Sequence, residues 1–306
     1  MTTGAGAEVA AGAAAGVEAG ELTGAPPPLD GREIALYLDE LTCRFGELMA
    51  VSNVSLTIPA GSRFGIIGPN GAGKTTLFNL LSGELHPTAG TVKLFGKDVS
   101  KLSPPQRVRL GMGRTFQVVR VFDDLTVREN LTLALTGLAR SKFQLLRLWR
   151  SYHAHQTRAE ELAASFGLGD RLELVAAELS HGELRELEVL LALAAEPRVL
   201  LLDEPAAGLS PAERVDIQAL LTRLPQELTM VMIEHDMQVL RGVVDWIAVL
   251  DHGELVTQGP TADVHRHPRV RELYLGSAAT AAAPPTDAAP PTAAAPPTDA
   301  AGGAAP

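Results

Sequence analysis

One run, Gly68-Pro69-Asn70-Gly71-Ala72-Gly73-Lys74-Thr75-Thr76, restricts what this chain can fold into more than any other feature. A glycine-rich loop of this spacing works only between a strand and a helix, where consecutive backbone N–H groups converge on phosphate oxygens at the helix N-terminus. Both flanks are present. Arg63-Phe64-Gly65-Ile66-Ile67 is a short apolar run suited to a buried strand, and Leu77, Leu80 and Leu81 recur at helical spacing before Gly83. Gly68, Asn70, Gly71, Ala72, Gly73 and Thr76 complete a phosphate cradle in which Lys74 reaches the β- and γ-phosphates and the Thr75 hydroxyl can hold Mg²⁺. The pattern implies a bound nucleoside triphosphate.

A second run, Val199-Leu200-Leu201-Leu202-Asp203-Glu204-Pro205, reads as a buried strand ending in two carboxylates. Beside a phosphate loop, two acids allow two jobs: Asp203 holds Mg²⁺ and Glu204 takes a proton from, or orients, the attacking water. On its own the pair could also be exposed acids closing a surface strand. It is not on its own, because Leu179-Ser180-His181-Gly182-Glu183 precedes it and Ile233-Glu234-His235-Asp236 follows it.

Composition narrows the alternatives. With 36 acidic against 26 basic side chains and a net charge of −10, the chain does not suit a nucleic-acid binder working through a basic face, so no nucleic-acid partner is expected. The single cysteine, Cys43, excludes an internal disulfide and fits a reducing compartment. No apolar run reaches the roughly 18–20 residues of a bilayer span. Residues 1–20 lack the basic start and leucine-rich centre of a secretory signal. A cytoplasmic location is the expectation.

Residues 1–29 and 277–306 are built from Ala, Gly, Pro, Thr and a few acids, too poor in large apolar groups to offset the entropy of ordering, and are expected to be disordered tails. Within 30–276 the opening third alternates, as in Ile34, Leu36 and Leu38 and in Val54, Leu56 and Ile58, which predicts antiparallel strands. The runs at 199–202 and 230–233 are continuously apolar, as parallel strands covered on both faces are. Between them, about 127–190 carries helical patterning only and predicts a helical subdomain. Its basic stretch, Arg140, Lys142, Arg147, Arg150 and Arg158 interleaved with Phe143 and Trp149, reads as a solvated helix face or as a surface meeting anionic lipid.

The order of phosphate loop, Gln117, Leu-Ser-x-Gly, Asp-Glu-Pro and a lone histidine resembles the ATP-binding subunit of ABC transporters. More narrowly, Arg114-Thr115-Phe116-Gln117, Asp203-Glu204-Pro205-Ala206-Ala207-Gly208-Leu209 and Glu234-His235-Asp236-Met237 resemble the branched-chain amino acid (Liv-type) importer ATPase, with urea importers close by. The resemblance covers nearly all of 34–276. It implies an α/β fold of the P-loop NTPase kind, an ABC-type nucleotide-binding domain with a RecA-like core, an antiparallel β subdomain and a helical subdomain. It also implies roles: Phe45 stacks on adenine, Gln117 senses Mg²⁺ and the γ-phosphate, and His235 is the switch histidine contacting the γ-phosphate. Ser180 and Gly182 close over ATP held by a second subunit.

The implied cofactors are ATP and Mg²⁺. The implied partners are a second ATPase subunit, like or unlike, the transmembrane permease subunits and, indirectly, an external solute-binding protein, with this chain itself expected peripherally at the cytoplasmic face of the inner membrane. The permease is expected to dock downstream of Gln117, near Val121 and Phe122. Two departures stand out: His181 replaces the usual signature glycine, and Ser210 stands where many members carry an aspartate. A soluble ABC ATPase acting on a macromolecular assembly, or a lipopolysaccharide-export ATPase, shares much of the pattern.

Overall fold

The structure, a computed structural model, describes residues 24–115, 121–138, 145–264 and 266–273, with the side chains at 137–138 and 145–152 left out. Gln117, the cores of both tails and most of the basic stretch therefore lie outside the described residues.

Two consecutive alternating segments form β1 (Ile34–Phe45) and β2 (Leu48–Pro59), paired antiparallel through a Gly46-Glu47 turn that sets Phe45 opposite Leu48. After β3 (Arg63–Ile67) and α1 (Lys74–Ser82), β4 (Ala89–Leu94) and β5 (Lys97–Asp98) complete a four-stranded sheet in the order β2-β1-β4-β5, the antiparallel layer that the alternation predicts. α2 (Pro104–Val108) and β6 (Met112–Arg114) follow.

The next stretch contains α3 (Val127–Leu138), α4 (Leu145–Ser165) and α5 (His181–Leu193), with two 3₁₀ turns between α4 and α5. These helices bury their own cluster, in which Leu131, Ala159, Ala163, Leu187 and Leu190 meet. Val189, on the opposite face of α5, packs instead against the main sheet, so α5 joins the helical cluster to the rest.

The remaining chain alternates strand and helix: β7 (Val199–Asp203), α6 (Pro211–Arg223), β8 (Thr229–Ile233), α7 (Met237–Leu240), β9 (Trp246–Asp251), β10 (Glu254–Pro260) and α8 (Thr261–Val264). The second sheet runs β10-β9-β3-β8-β7-β6, parallel except for the β9–β10 hairpin. Its continuous apolar runs are explained by burial on both faces. Val199, Leu201, Val231 and Ile233 enter the core shared with α1 and the antiparallel sheet, while Leu200, Leu202, Met230 and Met232 enter the core under α6 and α7.

Arg107 sits at 0% exposure and donates to the carbonyls of Leu80 and Leu81 (both 2.5 Å), Leu102 (3.1 Å) and Ser100 (3.3 Å). Burial lowers its pKa to about 10, which leaves it charged at neutral pH. The guanidinium thus satisfies the last carbonyls of α1, fixing the far end of the helix that presents the glycine loop. Residues 24–29, which composition assigns to a tail, run against the body: Pro27 is buried and the Gly24 carbonyl accepts from Gln258 Nε2 at 2.9 Å.

Candidate functional site

Strand register assembles the site. Ile66 of β3 and Asp203 of β7 both pair with Ile233 of β8, so the loops leaving these three strands emerge side by side at one sheet edge. From β3 comes the glycine loop. Gly73 is the N-cap of α1 at φ +93°, a left-handed conformation that costs a residue with a Cβ, and no side chain caps the helix. Its uncapped first-turn N–H groups are free to serve an anion.

The loop is also pressed from behind. A Cβ at Gly73 would overlap the Ala50 carbonyl oxygen of β2, and one at Gly68 would overlap the Leu250 carbonyl oxygen of β9. Gly253, in the β9–β10 turn, donates to the Ala72 carbonyl at 3.1 Å and accepts from Ser52 N–H at 2.8 Å. Gly73→Ala combines strain of about 1–2 kcal/mol with this overlap, so the loop must move. We expect a nucleotide titration of that variant to show at least tenfold weaker binding; unchanged affinity would show that the loop geometry is not critical.

Asn70, Gly71, Ala72, Gly73, Lys74, Thr75 and Thr76 line a cavity of about 600 Å³ with Glu204, and with Leu48, Met49, Ala50 and His252. Lys74 is buried and donates from Nζ to the carbonyls of Gly68 (2.8 Å) and Pro69 (2.9 Å). Burial lowers its pKa, and the carboxylates of Glu204 and Asp203 oppose that shift. The ammonium is thus held on the loop near Asp203, which ends β7, and Glu204, which follows it, placed to meet phosphate oxygens.

Asp203 is 3% exposed. Burial raises its pKa, with the Arg114 guanidinium working against the rise. Arg114 Nη2 donates to Asp203 Oδ2 at 3.2 Å and to Asn79 Oδ1 at 2.9 Å, and Nη1 donates to Ser82 Oγ at 2.6 Å. One guanidinium therefore locks the acid-bearing strand to the helix of the phosphate loop. Oδ1 of Asp203 has no hydrogen-bond partner among the described residues, and with the exposed Thr75 hydroxyl it offers the oxygen donors that a hard divalent cation prefers.

Glu204 adopts φ +47°, with its N–H donating to the Ile233 carbonyl at 3.0 Å. A non-glycine residue in this region costs of order 1–3 kcal/mol and persists only where its surroundings over-determine it. Next door, His235 presents a side chain that is 61% exposed, so it is no core histidine. Glu234 beside it is fully buried.

The signature residues sit elsewhere and do not line the cavity. Ser180 is the N-cap of α5, its Oγ accepting from Glu183 N–H at 3.2 Å while its own N–H donates to Glu183 Oε2 at 2.8 Å. Gly182 N–H donates to Glu213 Oε1 at 2.9 Å. The other oxygen of Glu213 takes Ser210 N–H at 2.9 Å, so Ser210 is the N-cap of α6 and a single carboxylate ties it to the signature loop. A Cβ on Gly208 would lie 3.2 Å from His181 Nε2, which places the atypical signature histidine over the loop after Pro205.

Phe45 is 47% exposed at the hairpin end but is not among the residues lining the cavity, where Leu48 and Met49 stand instead. Sequence reasoning missed these two, His252 and the links made by Arg114 and Glu213. For Leu48 and Met49 the available signal was the turn residue Gly46, which folds them back beside Phe45, and Ser210-Pro211-Ala212-Glu213 was readable as a capping box. Of the basic stretch, Arg158 is described and is paired with Glu161 (3.1 Å) and Glu196 (3.2 Å).

A glycine loop at the carboxyl end of a central parallel strand, a lysine within it and paired acids at the end of β7, one strand removed across β8, define a P-loop nucleoside triphosphatase. The family model for ABC transporters matches residues 51–207. The chain belongs to the ABC transporter family, as one of its ATPases. It is 38% identical over 254 residues to the high-affinity branched-chain amino acid transport ATP-binding protein LivG of Escherichia coli K12, spanning 79% of this chain and 98% of that protein. Against BraF of Pseudomonas aeruginosa, a protein of the same description, identity is 38% over 251 residues with the same coverage. Among solved structures, the ADP conformation of the ATP-binding cassette MJ1267 superposes with a TM-score of 0.70 at 29% identity, covering 80% of this chain and 99% of that one. The dimeric post-hydrolysis state of MJ0796 bound to ADP and Pi gives 0.63 at 26% identity, covering 74% and 98%.

Proposed function

We propose that this chain is the ATP-hydrolysing subunit of an importer for branched-chain amino acids or a related small amide or amino acid, working at the cytoplasmic face of the membrane. The observation that carries it is the full-length match to LivG and BraF, 98% of each, together with a site in which Lys74 and Glu204 share one cavity. Among the described residues no helix is long and apolar enough to cross a membrane, so passage of the solute falls to permease subunits. Phe122, 60% exposed, and Leu133, 45% exposed, are apolar and supply a surface for them.

In this reading the loop N–H groups and Lys74 hold the triphosphate, and Glu204 accepts the proton of the attacking water. His235 contacts the γ-phosphate, and Phe45, with Leu48 and Met49, takes the adenine face. Thr75 and Asp203, with Gln117 from outside the described residues, would hold Mg²⁺, which when bound neutralises charge on the β- and γ-phosphates. Ser180 and Gly182, absent from the cavity lining, serve the ATP of a second ATPase subunit, so the working unit is a dimer closed by nucleotide.

Co-expression tests the assignment. The protein is expected to sediment with membranes only when the permease subunits are present, and its deletion to abolish ATP-dependent uptake of labelled leucine. Distribution to the soluble fraction with permease present, or undiminished uptake, would overturn it.

A further inference from the structure

Glu234 is the one acid of the site region buried to 0% exposure, and the chemistry above gives it no task. Its two oxygens are divided between two loops. Oε1 accepts the Ala206 N–H at 2.9 Å, three residues beyond Asp203, and Oε2 accepts the N–H of His235 at 3.2 Å. The His235 ring Nδ1 lies 3.8 Å from the same Oε2. A third bond, from Glu204 N–H to the Ile233 carbonyl at 3.0 Å, runs parallel to this bridge. On the far side, Arg214 closes the same gap by donating to Asp236 Oδ2 at 2.9 Å and to the Leu209 carbonyl at 3.1 Å.

We propose that Glu234 is a positioning residue whose carboxylate fastens the loop carrying Glu204 to the loop carrying His235, so that the water-activating acid and the γ-phosphate contact keep one fixed spacing. The physical need is visible in the backbone: Glu204 stands at φ +47°, a conformation its own chain does not favour, and neighbouring bonds must hold it. A buried carboxylate suits the task because it offers acceptors only, in two directions, to backbone donors of both loops. An amide at this place has one acceptor; its NH₂ would face an N–H and break one end of the bridge. An aspartate keeps the charge but is one methylene too short to reach both.

This inference rests on the ATPase reading of Glu204 and His235, and the test separates the two. Glu234→Gln and Glu234→Asp are compared with wild type in the full-length chain co-purified with its partner ATPase and permease subunits, with turnover counted per bound ATP. Either variant that binds ATP is expected to show kcat lowered by about 10- to 100-fold, the scale of a misplaced catalytic group, with KM for ATP within about threefold. A residue that only supports the fold would instead lower the melting temperature and the fraction of sites that bind, leaving kcat per occupied site unchanged. Turnover within twofold of wild type, or loss of ATP binding in both variants, overturns the proposal. If Glu204→Gln and His235→Ala retain turnover, the site reading falls and takes this inference with it; if they abolish turnover while Glu234→Gln does not, the inference alone fails.

Discussion

Glu204→Gln is expected to bind ATP with an affinity within about twofold of wild type while phosphate release falls by at least about 100-fold, the usual scale for removing a general base. Glutamine keeps the shape of the side chain and makes the same backbone bonds, the N–H to Ile233 and the carbonyl to Ala207 N–H at 3.0 Å, so the loop is retained. Only the proton acceptor is lost. If the proposed dimer is closed by uncleaved ATP, the variant should also accumulate as an ATP-stabilised dimer, read by light scattering with and without nucleotide. Phosphate release at the wild-type rate would remove Glu204 from the chemistry. Loss of ATP binding would assign it to the cradle rather than to the water.

Lys74→Ala is expected to weaken ATP binding by about 1.5–3 kcal/mol, the loss of hydrogen bonds to a charged group, which is roughly 10- to 150-fold in Kd. The mechanism has two parts. In the proposed function the ammonium meets the phosphates, and it also holds the Gly68 and Pro69 carbonyls that shape the loop. A titration with a fluorescent ATP analogue, run beside thermal melting, separates them: a large loss of affinity with little change in melting points to the phosphate contact. Unchanged affinity would contradict the role assigned to Lys74.

Much of the fold was legible because its cues are local. Alternation marked β1 and β2, and unbroken apolar runs marked β7 and β8 of the parallel sheet, since a strand covered on both faces has no polar side to alternate with. Gly83, φ +86°, ends α1 where the spacing predicts. The loop chemistry was equally plain, because nine consecutive residues carry both the backbone freedom and the side chains that phosphate binding needs. Less legible were residues whose part depends on what lies opposite. His252, in a turn after β9, reaches the cavity only because β9 pairs with β3, and Leu48 and Met49 reach it only through the hairpin register.

The sequence by itself determined the class of chemistry: a triphosphate cradle, two acids on a strand end and a histidine, each set by residues adjacent in the chain. Tertiary structure alone decided how those pieces are joined. Arg114 meets Asp203 across 89 residues, Gly182 meets Glu213 across 31, and Glu234 meets Ala206 across 28. Each of these links is a charged side chain satisfying a partner brought near by sheet pairing or helix packing. A carboxylate or guanidinium can reach many donors or acceptors in an open chain, and only the packed core narrows them to one fixed set.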